Sequence, residues 1–492
     1  MKTPKDRRKC NLSRSIITTT TTTTATISAS TVLLILLTVI TCTTYALALD
    51  IRNIGEEEKD QFITNSGNEK KQLEPTNDET RYDDDNTRPT HYEGTQLWRI
   101  YNITNYLGKN RTPLTDVLEY KYGGDVWKEN LKFLDVSIKK DQLKRARQFL
   151  KQNHMEIEIL NYNIQKLIDD EAAIGVNLTQ SDFGKRTRKS TASGMHFKDY
   201  HDLDTIYSFM REVRGKYPNI CRLYSIGKTV EGRDLKVLRI SENPRDYKKI
   251  WIDGGIHARE WVSPATVTFI LYKLLANWTD QPDYIKQKTW YIMPVMNPDG
   301  YEYSRRENRL WRKNRSPSKH EQCYGVDLNR NFDIGWQSYG SSTHPCSDTY
   351  RGHSPASELE TQAVVKFLTK RKFNLHSYLT FHSYGQLMVY PWAYRAVKVK
   401  DANILQRVAN TAVQRIAKKT HQVYRAAVTH EVLGLAGGGS DDWCRAALST
   451  PFVYTVELRD RGHYGFILPP DQIIDTALEG YTIVDTVAQA ID

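Results

Sequence analysis

The residues best suited to chemistry form the four-residue motif His257-Ala-Arg259-Glu260, which follows a short apolar run and a pair of glycines. A neutral imidazole and a carboxylate at positions i and i+3 can both reach one divalent ion, and this nitrogen and oxygen chemistry suits zinc. The same spacing also arises by chance when a surface histidine precedes a solvated glutamate. The motif alone therefore does not establish a metal site.

Five further motifs follow in order: Asn297-Pro-Asp-Gly300, Arg309-Leu-Trp-Arg312, Asp327-Leu-Asn-Arg-Asn-Phe332, His382-Ser-Tyr384 and Glu457-Leu-Arg-Asp460. With His257-Ala-Arg259-Glu260 they resemble the zinc carboxypeptidase family of the pancreatic A/B type, and the resemblance runs from about Phe197 to the C-terminus. It implies a zinc-dependent exopeptidase that hydrolyses the C-terminal peptide bond of peptides and proteins, and that is made as a proenzyme.

The resemblance assigns the zinc ligands to His257, Glu260 and His382, which leaves a position open for water. A lone histidine after a strand is more often structural, and only the His-Ser-Tyr motif favours ligation by His382. Glu457 aligns with the general base of the family, and the alternative is a buried, ion-paired glutamate. Arg312 aligns with the arginine that stabilises the negative oxygen formed at the scissile carbonyl.

An exopeptidase must also bind a free carboxylate, which an arginine can hold through two parallel hydrogen bonds. The resemblance gives this role to Arg330, with Asn329 as a donor beside it. The alternative is that this segment is an ordinary polar turn. Arg259, Ser383 and Tyr384 are the further substrate contacts that the resemblance implies.

Substrate preference depends on Asp441 in the segment Ser440-Asp-Asp-Trp443. Asp441 aligns with the floor of the side-chain pocket, where enzymes of the B type carry aspartate and those of the A type carry an apolar residue. A buried carboxylate there would pair with a C-terminal lysine or arginine. The A-type alternative holds if Asp441 turns away and caps a turn.

Two departures from the family pattern concern the region before Glu457. The mobile tyrosine that closes over substrate in the family aligns with Gly434, and about one extra residue lies between Trp443 and Glu457. The missing tyrosine raises the alternative of a catalytically silent homologue that only binds peptides. The retained base Glu457 argues against that alternative.

The composition is that of a chain with a sizeable core. The chain has 492 residues, of which 39% are apolar, and its formal net charge is +11. This charge is spread widely except for the cluster Lys185–Lys189, and no basic stripe interleaved with aromatic residues predicts a nucleic-acid surface. We expect a monomer whose partners are peptide and protein C-termini.

The N-terminus is predicted to be a targeting segment. A basic start precedes an apolar stretch, Thr31–Ala48, that ends in a small-residue cleavage pattern, so residues 1–48 are interpreted as a signal peptide of a secreted protein. An uncleaved anchor of a type II membrane protein is the alternative. Residues 49–92 are acidic and polar and are predicted to form a disordered linker.

The next region, residues 93–175, is predicted to be a small α+β open sandwich that resembles the activation propeptide of the family. Its predicted strands are 97–101, 131–136 and 155–160, and its predicted helices are 140–153 and 164–173. An unrelated α+β module is the alternative. Residues 176–195 are predicted to be an exposed connector, in which a trypsin-like protease would cut near Arg186 and Arg188.

Residues 196–492 alternate between predicted strands and helices, which indicates an α/β domain with a mixed central sheet and helices on both faces. Ser263 is predicted to cap a helix that ends near Asn277, with further helices at 356–371, 401–418 and 471–491. His257, His382 and Glu457 each follow a predicted strand, where sites of such folds gather.

Cysteines and glycosylation sequons fit an oxidising compartment. Of the six cysteines, Cys323 and Cys346 resemble the disulfide pair of the family, whereas Cys221 and Cys444 are either free buried thiols or an additional bridge. Candidate glycosylation sites for a secreted protein are Asn102, Asn110, Asn177, Asn277 and Asn314.

Overall fold

The computed structural model of the chain describes residues 89–106, 113–130, 132–183, 193–318, 323–370 and 373–491. All of them fall in one unit that spans Asp85–Asp492. The predicted targeting segment, nearly all of the acidic linker and the cleavage residues Arg186 and Arg188 lie outside the described residues. Within the described ranges, no helix combines the length and the apolar character needed to cross a membrane.

Residues 89–183, here called the N-terminal unit, form a four-stranded antiparallel sheet with helices. The elements in chain order are β1 Gln96–Tyr101, α1 Leu114–Tyr122, β2 Asp125–Glu129, β3 Phe133–Ile138, α2 Leu143–Gln152, β4 Glu156–Asn161 and α3 Ile164–Phe183. The strand order is β2-β3-β1-β4. Apolar side chains of the sheet pack against α1 and α2, among them Trp98, Ile100, Leu118, Val136 and Leu150. The predicted α+β open sandwich is thereby confirmed.

The sequence analysis missed two elements of this unit and misplaced one end. It missed α1 and β2, because both are short and carry several charged residues. It also ended the last helix near residue 173 and began the connector at 176, whereas α3 continues to Phe183. The beginning of the predicted connector is therefore helical.

The larger part of the chain is built on a mixed eight-stranded sheet in the order β11-β10-β12-β9-β7-β8-β6-β5. Its strands are β5 Cys221–Lys228, β6 Asp234–Ile240, β7 Lys248–Gly254, β8 Lys288–Met293, β9 Leu375–His382, β10 Leu387–Tyr390, β11 Arg425–Val428 and β12 Phe452–Glu457. The central strands β7, β8, β9 and β12 pair in parallel, and β5, β6 and β10 add antiparallel pairs.

Helices cover both faces of this sheet, as predicted. They are α4 Leu203–Lys216, α5 Val262–Leu275, α6 Asp283–Lys286, α7 Pro298–Arg306, α8 Leu359–Leu368, α9 Ala402–Thr420, α10 Thr429–Leu433, α11 Ser440–Ala447 and α12 Ile473–Ala490. Along β7, Ile250 and Ile252 point into the core beneath α5 and α12, whereas Trp251 points into the core beneath α8. Successive residues of a strand face opposite sides, so a central strand must be apolar throughout.

The start of α5 corrects the predicted cap. The helix begins at Val262 and Ser263 lies inside its first turn. The Ser263 hydroxyl donates to the Phe381 carbonyl of β9 at 2.6 Å and accepts from the Gly255 backbone N–H at 3.0 Å. Ser263 therefore connects the helix to two strand ends instead of capping it.

Cys323 and Cys346 form the predicted disulfide, with Cα atoms 4.9 Å apart, and Cys221 and Cys444 are free and buried. Asn102 and Asn277 are exposed, whereas Asn314 is fully buried. The Asn314 amide nitrogen donates to carboxylate oxygens of Glu358 and Glu360, so the prediction of a glycan at Asn314 is wrong for the folded chain. Asn110 and the Asn177 side chain lie outside the described residues.

Candidate functional site

The site lies where three parallel strands of the large sheet end. β9 ends at His382 and β12 ends at Glu457, and these two residues are paired in register. β7 ends next to them, because Gly254 pairs with Phe381. Glycines at the end of β7 let the chain turn tightly there: Gly255 has a φ of 63° and is packed close to Pro264. This turn leads directly into the motif that contains His257 and Glu260.

His257, Glu260 and His382 form a buried group whose ligand atoms all lie within 4.8 Å of one another. The Nδ1 atom of His257 lies 2.6 Å from Oε1 of Glu260, and the Nδ1 atom of His382 lies 3.1 Å from Oε2. Two imidazole nitrogens and one carboxylate are a donor set that suits zinc, and three protein ligands leave a coordination position for water. The structure thus brings the three predicted ligands together in an arrangement that fits the metal.

Asp327 connects this group to the arginines beside it, and the sequence analysis gave it no role. Its Oδ1 atom lies 3.2 Å from Nε2 of His257, and its Oδ2 atom accepts from Nε and Nη2 of Arg312 at 3.0 and 2.8 Å. Burial raises the pKa of Asp327, but the charges of Arg312, His257 and Arg330 outweigh burial and hold that pKa well below its usual value. A charged Asp327 thus orients His257 and Arg312 together.

Glu457 is partly buried beside this group. Burial raises its pKa to about 7, assisted by the charge of Glu260 and opposed by His382, Lys128 and Arg312. A carboxyl group whose pKa lies near neutrality can accept a proton and later return it, which is what general acid–base catalysis requires. Its position next to the three candidate ligands suits proton transfer to and from a water molecule there.

Asn329 and Arg330, the residues predicted to bind a carboxylate, lie next to Asp327. Arg330 donates from Nε to the Gly340 carbonyl at 2.6 Å and from Nη1 to the Asn329 carbonyl at 3.0 Å. The Asn329 side-chain oxygen accepts from the Ser440 backbone N–H at 3.0 Å, and this contact joins the segment to α11. Arg312, Asn329 and Arg330 are thus held in one place by backbone contacts and by Asp327.

The N-terminal unit covers this side of the protein. Arg259 is completely buried and donates from Nη1 to Asp125 of β2 at 2.8 Å and to Asp348 at 3.1 Å. Glu171 of α3 forms a buried two-point ion pair with Arg309, with both N···O distances at 2.8 Å. Arg259 therefore binds the N-terminal unit in this form of the protein.

Tyr384 and Ser383 also have other partners here. The Tyr384 hydroxyl donates to Asp135 at 2.9 Å, and its carbonyl accepts from the ammonium group of Lys128 at 3.2 Å, so the N-terminal unit binds it from two strands. The Ser383 backbone N–H donates to Glu260 at 3.2 Å. The N-terminal unit thus occupies the surface next to Glu457.

Asp441 lies in the first turn of α11 and is 4% exposed. One of its oxygens accepts from the Thr455 hydroxyl of β12 at 2.8 Å. The neighbouring Asp442 has a different role, because its carboxylate accepts from the backbone N–H groups of Ala393 and Tyr394. Burial and the charge of Asp441 raise the pKa of Asp442 well above its usual value.

The two departures from the family pattern concern Gly434 and the segment from Trp443 to Glu457, and the structure describes both. Gly434 has a φ of 82° with no atom near the place where a side chain would start, so it lies on an open turn. Ser449 has a φ of 54° in the connection between α11 and β12, which lies within the segment from Trp443 to Glu457.

Comparisons with known proteins agree with this geometry. The zinc carboxypeptidase family model matches residues 206–483, and the carboxypeptidase activation peptide model matches residues 114–171. Carboxypeptidase B of Astacus astacus is 39% identical over 60% of this chain and 98% of its own length, and carboxypeptidase A6 of Mus musculus is 35% identical over 70% and 77%.

Solved structures give the same result for the fold. Thrombin activatable fibrinolysis inhibitor has a TM-score of 0.70 and 30% identity, and it covers 81% of this chain and 99% of its own. Carboxypeptidase A of Helicoverpa armigera has a TM-score of 0.72 and 27% identity, with 81% and 98% covered. Both solved structures therefore cover more of the chain than the zinc carboxypeptidase match alone.

Proposed function

This chain belongs to the zinc carboxypeptidase family and is a metallocarboxypeptidase with an activation peptide, and we propose that it removes C-terminal lysine and arginine residues from peptides and proteins. The observation that carries the preference is the buried, hydroxyl-bonded carboxylate of Asp441. The relatives carry names of both the A and the B type, so the preference rests on this residue.

We assign the catalytic roles as follows. His257, Glu260 and His382 would hold zinc, which when bound lowers the pKa of water and polarises a carbonyl group. Glu457 takes a proton from the attacking water and delivers it to the leaving amine. Arg312, fixed by Asp327, stabilises the negative charge that develops on the carbonyl oxygen.

Arg330 and Asn329 would bind the terminal carboxylate of the substrate. A guanidinium can hold a carboxylate through two parallel hydrogen bonds, and this requirement selects the last residue of a peptide over an internal one. After the activation peptide leaves, Arg259 would become a further positive contact for substrate, and Ser383 and Tyr384 would line the same surface.

The different surroundings of Asp441 and Asp442 support a preference for a basic substrate side chain. The adjacent Asp442 accepts from the backbone N–H groups of Ala393 and Tyr394, and its pKa is raised because of burial and of the charge on Asp441. Asp441 instead has a hydroxyl partner, so its negative charge is available to a cationic group. A phenylalanine side chain would leave this charge desolvated and unpaired, at a cost of several kcal/mol.

Hydrolysis of matched peptides that end in Arg, Lys, Phe and Leu tests the preference on the activated enzyme. We expect kcat/KM to favour Arg and Lys over Phe by about a hundredfold or more, because several kcal/mol separate the two classes. Asp441→Asn should remove most of this ratio, and Glu431→Gln, a charge change at an exposed position of α10, should leave it unchanged. A preference for Phe or Leu that Asp441→Asn does not alter would establish the A-type alternative.

The silent-homologue alternative rests on Gly434, which lacks the side chain expected of a closing residue. The retained ligands, base and arginines argue against it, because a binding protein has no need of Glu457. Long incubation of the activated protein with a peptide separates the two. Binding without any released amino acid would support the silent alternative, whereas steady product formation excludes it.

We also propose the processing of the chain. Residues 1–48 would be a signal peptide of a secreted protein, 49–92 a linker, 93–175 the activation peptide, 176–195 a cleavable connector whose first residues continue α3, and 196–492 the catalytic domain. A trypsin-like protease would cut near Arg186 or Arg188, after the end of α3. N-terminal sequencing of secreted material before and after trypsin tests this, with new termini expected near Leu49 and Ser190. Recovery of Met1 in a membrane fraction would instead establish the anchored alternative.

A further inference from the structure

Asp253 is a buried carboxylate that the catalytic roles above leave unexplained. It lies on β7 and is fully buried. In the described part of the chain it forms no ion pair with a lysine or arginine. Its Oδ2 atom accepts from the Trp251 indole N–H at 2.6 Å, and its Oδ1 atom accepts from the Thr380 hydroxyl at 2.6 Å. Burying a charged group without a cation is costly, so a carboxylate at this place requires a compensating partner.

Thr380 connects Asp253 to a candidate zinc ligand. Thr380 and His382 are two residues apart on β9 and therefore face the same side of the sheet. The Thr380 hydroxyl oxygen lies 3.4 Å from Nε2 of His382. A hydroxyl group has one hydrogen, which Thr380 gives to Asp253, so its oxygen can only accept from the imidazole.

This direction of the hydrogen bonds fixes the histidine. If Nε2 of His382 carries the proton and donates it to Thr380, then Nδ1 carries a free lone pair. Nδ1 is the atom that lies 3.1 Å from Glu260, inside the ligand group. The chain of contacts from His382 through Thr380 to Asp253 therefore presents the correct nitrogen to a metal ion.

The other histidine has a comparable partner on the opposite side. Nε2 of His257 lies 3.2 Å from Asp327 with no residue between them, whereas His382 reaches its carboxylate through a hydroxyl group. The Nε2 atom of each imidazole thus reaches a buried carboxylate, directly in His257 and through a hydroxyl group in His382. Such partners set the tautomer and the basicity of a metal-binding histidine, and their loss typically costs 10- to 100-fold in metal affinity.

We propose that Asp253 and Thr380 are positioning residues that hold His382 in the tautomer and orientation required for zinc. They contact neither substrate nor the reacting atoms, and their effect reaches the site only through the imidazole. The proposal goes beyond the assigned function and does not depend on which C-terminal residue is preferred. Its alternative is that Asp253 only anchors the indole of Trp251 within the core.

The test measures the zinc dissociation constant of the full-length protein by competition with a chelator of known affinity. Thr380→Val keeps the shape of the side chain and removes the hydroxyl, and it should weaken zinc binding about 10- to 100-fold. Thr380→Ser restores the hydroxyl and should return the affinity to within about threefold of the original, because the hydrogen-bonding group is back in place. Asp253→Asn should weaken binding by a similar factor.

Thr289→Val is the matched control, because Thr289 is a buried threonine of the same sheet whose hydroxyl bonds Ser241 away from the site. It should leave zinc affinity unchanged. Unchanged zinc affinity in Thr380→Val, or an equal loss in Thr380→Ser, would overturn the proposal. If Asp253→Asn fails to fold, the two Thr380 variants still decide the question. At saturating zinc, the ratio of kcat/KM for a peptide that ends in Arg to kcat/KM for one that ends in Phe should be the same in Thr380→Val and the original protein. A change in zinc affinity can thereby be distinguished from a change in substrate preference at Asp441.

Discussion

Arg259, which is completely buried, and Asp125, which is partly exposed, form an ion pair with an N···O distance of 2.8 Å, which joins the zinc-ligand motif directly to the activation peptide. Arg259 lies between His257 and Glu260 in sequence, and Asp125 begins β2 of the peptide. Asp348 and the Val126 carbonyl complete the surroundings of the guanidinium group. The activation peptide thus binds Arg259, which we propose as a substrate contact of the free enzyme, and release of the peptide must break this pair.

Replacing Asp125 with Asn should weaken the hold of the activation peptide. The substitution leaves a buried guanidinium with only Asp348 as an acidic partner, and losing one partner of such a group costs about 1–3 kcal/mol. We therefore expect uncleaved Asp125→Asn protein to hydrolyse a small peptide measurably faster than the original zymogen. Asp170→Asn, which removes an exposed ion pair with Lys166, is the control and should have no effect. Equal residual activity in all three proteins would contradict this prediction.

Binding of the activation peptide should weaken as pH rises. In the complex, burial together with the charges of Asp348 and Asp125 raises the pKa of Glu119 on α1 to about 8, from an ordinary value of 4.5. Between about pH 4.5 and pH 8, Glu119 is therefore protonated in the complex and ionised in the released peptide. Glu119 therefore contributes a fall in affinity of less than about tenfold per pH unit between about pH 4.5 and pH 8, and Asp125, whose pKa burial raises to about 6, adds to this fall at lower pH.

The dissociation of the peptide from protein cut only in the connector measures this dependence between pH 5 and 8.5. Glu119→Gln should reduce the pH dependence, most clearly between about pH 6 and pH 8, because an amide does not titrate and Asp125 contributes mainly below about pH 6. Glu156→Gln, at an exposed position on β4, should leave it as it was. Affinity that increases with pH, or an unchanged slope in Glu119→Gln, would show that another group governs release.

Glu457→Gln should lower turnover by about 10²- to 10⁴-fold, the usual contribution of a general base. The amide cannot accept a proton, whereas the ligands His257, Glu260 and His382 remain in place. Zinc content should therefore be unchanged, and metal analysis beside a peptide assay checks both statements. In the original enzyme a chelator should abolish hydrolysis and added zinc should restore it. Hydrolysis that persists after complete removal of metal would contradict the assignment.

Gly434→Ala should destabilise the protein, although nothing occupies the space around Gly434. Its φ of 82° with a ψ of −179° is a conformation almost confined to glycine, and a side chain there costs about 1–3 kcal/mol. Gly215 in α4 has equally open surroundings but no positive φ. Gly215→Ala should stabilise the protein by about 0.4–1 kcal/mol. Thermal unfolding of both variants compares them, and an equal effect at the two positions would exclude backbone strain as the cause.

The sequence by itself predicted the fold class and most of the main strands and helices, and through the resemblance it supplied the candidate residues of the site, whereas the order of the strands in the sheet came from the structure. His257, His382 and Glu457 were identified through the resemblance of their motifs to the zinc carboxypeptidase family, and the structure places them at or just after the ends of β7, β9 and β12, where an open α/β sheet gathers its sites. The pairing of Cys323 with Cys346 and the ligand set came from the resemblance, and the structure brings both sets of residues together.

Only the tertiary structure decided which residues support that site. Asp125 meets Arg259 across 134 positions of chain, and Asp253 meets Thr380 across 127, so no local pattern relates them. The same holds for Asp327. In the sequence it resembles an ordinary helix N-cap, and only its contacts with His257 and Arg312 show that it supports the site. Periodicity reports which face of an element is apolar, whereas a buried polar contact depends on two distant segments meeting, and only the packed chain fixes where they meet.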